Sequence, residues 1–318
     1  MSERPPEAVL WALLRGAMAT QALRVVAQLH VADTLVGGPR PVAQVARDAD
    51  ADALLRALRA LASDGVFEEV KPGVFRNTPA SELLRTDGDQ AWHEFALQFG
   101  AEWYDAFARF PHALQTGEPS FPLVFGADFE TWMREHPDRL AVFNRAMEAG
   151  ATQRIDRVAG LEWDAETVVD VGGGTGQMLA ELLRRHSRLH GILFDLPEVV
   201  EGVEAPAGVD VVAGSFFEGV PAGDAYLLSR ILHGQGDDDA QRVLDSIRRA
   251  ARPGARVLIV DAVIPPGNEP YGSKWLDLLM LVLSGGRERT EEQWRALLTD
   301  AGLEVSSVED ALIQARCP

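Results

Sequence analysis

Val168-Val-Asp-Val-Gly-Gly-Gly-Thr-Gly176 is an apolar, β-branched run that ends on four glycines, and QMLAELLRRH (177–186) continues at helical spacing. A strand that turns through glycines into a helix brings its backbone close to a ligand at that turn. Working outward, HGILFDLP (190–197), VDVVAGSF (209–216), AYLLSRILH (225–233) and RVLIVDAVIP (256–265) read as further strands, and DDAQRVLDSIRRAARPG (238–254) reads as a helix. Such βα alternation predicts an α/β fold, a Rossmann-like and mostly parallel sheet covered on both faces. Ligands on such sheets bind beyond the carboxyl ends of the strands.

The glycine pattern narrows the ligand. A dinucleotide fingerprint counted from Gly172 passes through Gly174 and needs a third glycine where Gln177 stands. Asp170 also puts an anion where a phosphate would be repelled, and it suits the ammonium of an amino acid instead. Asp195 closes the next strand, nineteen residues past Gly176, where a carboxylate accepts both hydroxyls of a ribose. Ser215 and Phe216 end the third strand, where the phenyl ring offers an adenine a flat apolar surface. These strand ends describe a nucleoside that carries an amino acid and no phosphate, which is S-adenosylmethionine.

Composition sets the remaining limits. Thirty basic against forty-eight acidic residues leave a net charge of −18, a poor balance for a protein that grips a phosphate backbone. The single cysteine, Cys317, excludes an intrachain disulfide and a cysteine zinc site. The N-terminus MSERPPEAVL lacks the apolar core of a signal peptide, and WLDLLMLVL (275–283) is too short to span a membrane. A cytoplasmic protein with no membrane or nucleic-acid partner is expected.

Upstream, residues 7–30 are apolar at helical spacing on most faces, two short helices follow, and FEEVKPGVFRN (67–77) turns at Lys71-Pro72-Gly73 as a hairpin. This is a winged-helix pattern. Its second helix carries only Arg56 and Arg59 as cations, too few for a DNA-recognition helix. Packing against a second copy of the chain accounts better for the apolar first helix. Residues 91–155 are helical and rich in aromatics, among them Trp92, Trp103, Phe121 and Trp132, most of them core and some suited to lining an apolar pocket. The expected division is a winged-helix dimerisation domain at 1–85, a helical connector contributing to the substrate pocket at 86–155, and a cofactor-binding catalytic domain at 156–318.

Taken with FNRAM (143–147), the LH that ends the fourth strand, IVDAVIP (259–265) and GGRERTEEQW (285–294), the chain resembles the class I methyltransferases. Within them it is similar to the small-molecule O-methyltransferases of the caffeate and hydroxyindole type, including bacterial natural-product enzymes. The resemblance covers nearly the whole chain. It implies a homodimer that moves a methyl group from S-adenosylmethionine to a hydroxyl of an aromatic or polyketide-like small molecule in secondary metabolism. It also implies cofactor positions at Gly172, Asp195, Ser215 with Phe216, and Ser229. His233 falls on the general base, and Asp261 and Glu288 fall on its two flanking acids. Two departures stand out: Gly234-Gln235 replaces the usual Asp-Trp pair, and Ser215 replaces an acid common in plant members. The first keeps open a relative that binds the same cofactor but hydroxylates, decarboxylates or closes rings.

His233 in RILHGQGDDD (230–239) is then expected to end a strand at the ligand-binding edge, and Asp237-Asp238-Asp239 to cap the next helix. A lone histidine makes no metal site, and the other six are scattered without ligand spacing. Moving a proton from an ordinary phenol to an ordinary imidazole is uphill by about 3.5 pKa units, about 4.8 kcal/mol. A carboxylate beside the ring narrows that gap. Glu288 has an alternative reading as a surface ion-pair partner of Arg287 or Arg289.

Overall fold

The computed structural model describes residues 5–88, 90–149, 151–309 and 311–318. Contacts gather the chain into two units, Met1–Ala108 with Glu130–Gly150, and Arg109–Phe129 with Ala151–Pro318. The aromatic stretch expected to form a separate connector is therefore shared between them. Helix Trp92–Phe99 joins the first unit, where the Gly100 carbonyl accepts from Arg24 and Gln21 and Arg139 ion-pairs with Glu102. Helix Phe121–Phe125 joins the second, where Ser120 donates its N–H to the Val282 carbonyl and Phe121 stacks on Phe125.

In the first unit the predicted helix 7–30 is two helices, Pro6–Leu14 and Gly16–Gln28, bent by 42°. The break falls at Arg15-Gly16, where glycine's backbone freedom weakens a helix interior. The winged-helix elements follow as read: helices Val42–Val45 and Ala51–Ser63, the latter capped by Asp50, and strands β1 (Arg40–Pro41), β2 (Phe67–Lys71) and β3 (Val74–Asn77) in the order β1-β3-β2. Leu58, Phe67 and Phe75 close its core. Arg59 is bound by both oxygens of Glu69, which neutralises one of the two cations on the second helix.

The second unit holds seven strands: β4 (Thr167–Val171), β5 (His190–Asp195), β6 (Val209–Ala213), β7 (Ala225–Ser229), β8 (Arg256–Val260), β9 (Glu304–Glu309) and β10 (Leu312–Arg316). Their order is β6-β5-β4-β7-β8-β10-β9, parallel through β8, with β10 antiparallel to both neighbours. β4, β7 and β8 at the centre of the sheet are buried along most of their length, as the continuous runs VVDV, YLL and VLIV require of a sheet covered on both faces. Strand order reverses between β4 and β7, so the crevice opens where the glycine loop and the residues after Ser229 meet.

No single helix among the described residues is long and apolar enough to cross a membrane; the bent N-terminal pair reaches the threshold only by combined length and composition. That pair exposes Leu10, Trp11, Leu13, Leu14 and Met18, with Trp11 at 60% and Leu14 at 69%. Large exposed apolar side chains gathered in one short stretch favour association, since burying each such side chain is worth about 1.5–3 kcal/mol. Sedimentation at micromolar concentration should therefore report self-association, and Leu10→Asp combined with Leu14→Asp should shift it toward the monomer. A wild-type monomer, or an unchanged assembly in the double variant, would contradict this.

Candidate active site

β4 delivers Asp170 and then the glycine loop. Gly172 has φ +72, and a Cβ there would collide with the Ile231 side chain; Gly174 has φ +59 with open space where a Cβ would point. Glycine at 172 is thus demanded by packing as well as by backbone, while the space beside Gly174 is of the kind a ligand fills. Asp195, at the end of β5, ties the loop down. Its Oδ2 accepts the Gly174 N–H at 2.9 Å and its Oδ1 the Leu196 N–H at 2.7 Å. A carboxylate offers about four lone-pair sites, so two remain for a pair of ribose hydroxyls. Burial raises the pKa of Asp195, and the two amide donors oppose that shift.

Asp170 is buried, and its Oδ2 has no hydrogen-bond partner among the described residues. Burial, helped by the charge of Asp195, pushes its pKa up to about 7. An orphaned carboxyl beneath a glycine loop fits an ammonium and disfavours a phosphate, as the dinucleotide comparison required. Ser215 follows β6 and accepts the Phe217 N–H, and Phe216 is half-buried with its ring edge-on to Phe217. Ser229 is the last residue of β7, in register with Val260. Gly172, Gly174, Asp195, Ser215, Phe216 and Ser229 all lie at the carboxyl edge of the parallel strands, where they fit an adenosyl amino acid. A polar groove of about 1260 Å³ runs instead along the amino ends of those strands, past Thr167, His190 and Arg252. Nothing of the glycine loop lines it.

His233 does not end a strand. β7 stops at Ser229 because Arg230 takes a left-handed φ of 63°, and His233 sits on the one-turn helix Leu232–Gly234. The residue is only 7% exposed, so it is more enclosed than a strand-end position would make it. Its Nδ1 lies 3.1 Å from Glu288 Oε1, and Nε2 makes no hydrogen bond to a described residue. Its backbone N–H donates to Asp261 Oδ2 at 3.3 Å. The two flanking acids therefore act differently: Glu288 meets the ring, while Asp261 meets the main chain. Burial raises the Asp261 pKa, and the positive ends of His233 and Arg230 pull it back.

Glu288 is 1% exposed and pairs with neither neighbouring arginine. Arg287 and Arg289 both reach Asp237, so Asp237 does not cap its helix; Gly236 occupies the cap position, and the three acids fill the first turn, where they complement the helix dipole. Sequence reading missed Asp277, which accepts the Glu288 N–H at 2.8 Å, and the structural part played by Arg289. It also missed Arg154, whose guanidinium falls to about 10 through burial and the nearby Arg230, with Asp261 opposing. Arg154 and Arg230 thus bring positive charge beside Asp261. The GGRERT motif was the available signal for Arg289; nothing in sequence spacing singles out Arg154.

Comparison with known proteins bears on this site. Residues 107–304 match the O-methyltransferase domain family, and residues 11–87 match the O-methyltransferase dimerisation domain. The chain is 38% identical to a phenazine O-methyltransferase from Lysobacter antibioticus, over 96% of this chain and 93% of that one. It is 36% identical to a 3-amino-4-hydroxybenzoate 4-O-methyltransferase from Streptomyces cremeus, over 93% and 85%. Its fold is similar to that of an O-methyltransferase from neocarzinostatin biosynthesis solved with S-adenosyl-L-homocysteine and 1,4-dihydroxy-2-naphthoic acid, with a TM-score of 0.84, 32% identity, and coverage of 96% and 98%.

The raised Asp170 pKa carries a sign that can be measured. At neutral pH the folded protein keeps about half a proton on Asp170 that the unfolded chain, near 3.8, has released. Stability from this group is unaffected below the unfolded value and falls as pH rises toward about 7. An ammonium docked on Asp170 would lower its pKa and expel that proton. Calorimetry of S-adenosylhomocysteine binding near pH 7, in buffers of different ionisation heat, should show release of up to about half a proton. The release should vanish in Asp170→Asn; proton uptake, or release unchanged in that variant, would contradict the assignment.

Proposed function

Since this chain belongs to the O-methyltransferase family and uses S-adenosylmethionine, we propose that it methylates a hydroxyl of an aromatic or polyketide-like metabolite in secondary metabolism, with His233 as the general base. The observation that carries the catalytic assignment is the buried contact between His233 Nδ1 and Glu288 Oε1. With Nδ1–H directed at Glu288, the Nε2 lone pair faces outward and takes the acceptor's proton. Glu288 stabilises the imidazolium as it forms, and Asp261 fixes the main chain from which the ring projects.

Gly172, Gly174, Asp170 and Asp195 would hold the cofactor, with Ser215, Phe216 and Ser229 toward its nucleoside end. When bound, the cofactor supplies an electrophilic methyl on a sulfonium. The acceptor's O–H bond would break toward Nε2 as its oxygen takes the methyl group, whose bond to sulfur would break with both electrons left on the sulfur as a neutral thioether. The substrate class rests on the relatives, two of which are named for a phenazine and an aminohydroxybenzoate and a third of which was solved with a dihydroxynaphthoic acid bound. A homodimer built through the exposed N-terminal helices fits the dimerisation-domain match. A cytoplasmic setting agrees with the single, buried Cys317.

The test is methyl transfer from labelled S-adenosylmethionine to a panel that includes 3-amino-4-hydroxybenzoate and 1,4-dihydroxy-2-naphthoic acid. His233→Gln keeps an amide against Glu288 but cannot take the proton, so kcat should fall by about 100- to 10,000-fold. Affinity for S-adenosylhomocysteine should be nearly unchanged. Glu288→Gln should lose less and add little when combined with His233→Gln, because residues that act as a unit are non-additive. A His233→Gln enzyme working at the wild-type rate would return the histidine to a structural role.

A further inference from the structure

Arg289 is fully buried, yet it reaches neither the cofactor residues nor the ring of His233. Its five N–H donors are all used within one small region. Nη1 donates to the Leu232 carbonyl at 2.8 Å and more weakly to the Arg287 carbonyl at 3.4 Å. Nη2 donates to the Gln235 carbonyl at 3.0 Å and to Asp237 Oδ1 at 2.9 Å, and Nε donates to the same oxygen at 3.0 Å. The fork therefore grips the main chain on both sides of His233 and the first residue of the helix beyond it.

Its own anchorage is equally specific. The backbone of Arg289 bridges Val263, and its carbonyl accepts the Ile264 N–H at 3.0 Å, which ties it to the segment just after Asp261. The guanidinium lies 5.2 Å above the Trp294 ring, whose Nε1 donates to the Ala262 carbonyl. Consecutive side chains then diverge, Glu288 to the imidazole and Arg289 to the carbonyl frame that carries it. Gly286 also packs against this turn so tightly that a Cβ there would collide with the His233 carbonyl.

We propose that Arg289 is a positioning residue for catalysis: by clamping the Leu232 and Gln235 carbonyls it sets the distance and angle at which the His233 ring meets Glu288. This rests on His233 being the base. The same fork explains how the turn keeps its shape with Gly234-Gln235 in place of Asp-Trp, since it is held through main-chain carbonyls that any residue supplies. A lysine has three donors on one nitrogen and cannot span the two carbonyls and Asp237 together.

The experiment compares Arg289→Lys and Asp237→Asn in the wild-type and His233→Gln backgrounds, with 1,4-dihydroxy-2-naphthoic acid as the probe acceptor. A displacement of the base on the order of 1 Å is worth about 100-fold in rate. Arg289→Lys should therefore lower kcat by about 10- to 100-fold, while S-adenosylhomocysteine affinity stays within about 3-fold. In His233→Gln the same change should add less than about 2-fold. A readout that needs no acceptor is the ¹⁵N resonance of the His233 ring followed against pH, which should be displaced in Arg289→Lys. Should that variant not fold, Asp237→Asn, at the exposed end of the fork, should show a smaller kcat loss and the same displacement. An unmoved resonance with unchanged kcat, or equal losses in both backgrounds, would overturn the proposal. Failure of the underlying reading is seen separately, as a His233→Gln enzyme of wild-type rate.

Discussion

Two ionisable groups taken out of water at 3.1 Å from each other, His233 and Glu288, impose the tightest condition on this molecule. A buried charge left alone by loss of its partner costs about 3–5 kcal/mol, so the position of Glu288 is constrained as strongly as that of the histidine. The sequence places them fifty-five residues apart, on a one-turn helix after β7 and on the segment after helix Ser273–Ser284. Asp277 binds the Glu288 N–H, Ser284 Oγ donates to the Gly234 carbonyl, and Arg289 binds on either side of His233. Each bond fixes the relative position of those two segments, and together they leave the ring little freedom except at Nε2.

The cofactor side obeys a related electrostatic condition. Asp170 and Asp195 stand close enough for their charges to interact, and burial raises the pKa of both. The fold resolves this unequally. Asp195 receives two amide hydrogen bonds and keeps lone pairs for a ligand, while Asp170 receives none on Oδ2 and waits for a donor. A cationic amino group with an uncharged ribose nearby satisfies both at once; a pyrophosphate would satisfy neither.

Much of this was legible in the chain. The glycine loop, Asp195 and the alternating strands could be read because backbone close approach and strand burial leave direct compositional traces in VVDVGGGTG, FDLP and YLL. The family resemblance added His233, Asp261 and Glu288, and the fold brings all three together. What stayed hidden depends on single dihedral angles or on competition between neighbours. AYLLSRILH looks like one strand, yet the left-handed turn at Arg230 ends it three residues before the histidine. Asp237 looks like a cap, yet two arginines fifty residues on claim it, and that leaves Glu288 free to face inward. Residues 7–30 look continuous, yet they bend at Arg15-Gly16. In each case propensity and pattern permit the simpler reading, and tertiary contacts decide against it.

The account turns on which nitrogen of His233 carries the proton in the resting enzyme, because only an Nδ1–H tautomer gives Glu288 a donor and leaves Nε2 as the base. Nitrogen NMR of protein labelled with ¹⁵N at histidine, recorded with S-adenosylhomocysteine bound and assigned through His233→Gln, measures this directly. The account requires a protonated Nδ1 and a bare Nε2 that protonates as pH is lowered. A ring with its proton on Nε2, Nδ1 acting as acceptor from a protonated Glu288, would contradict it.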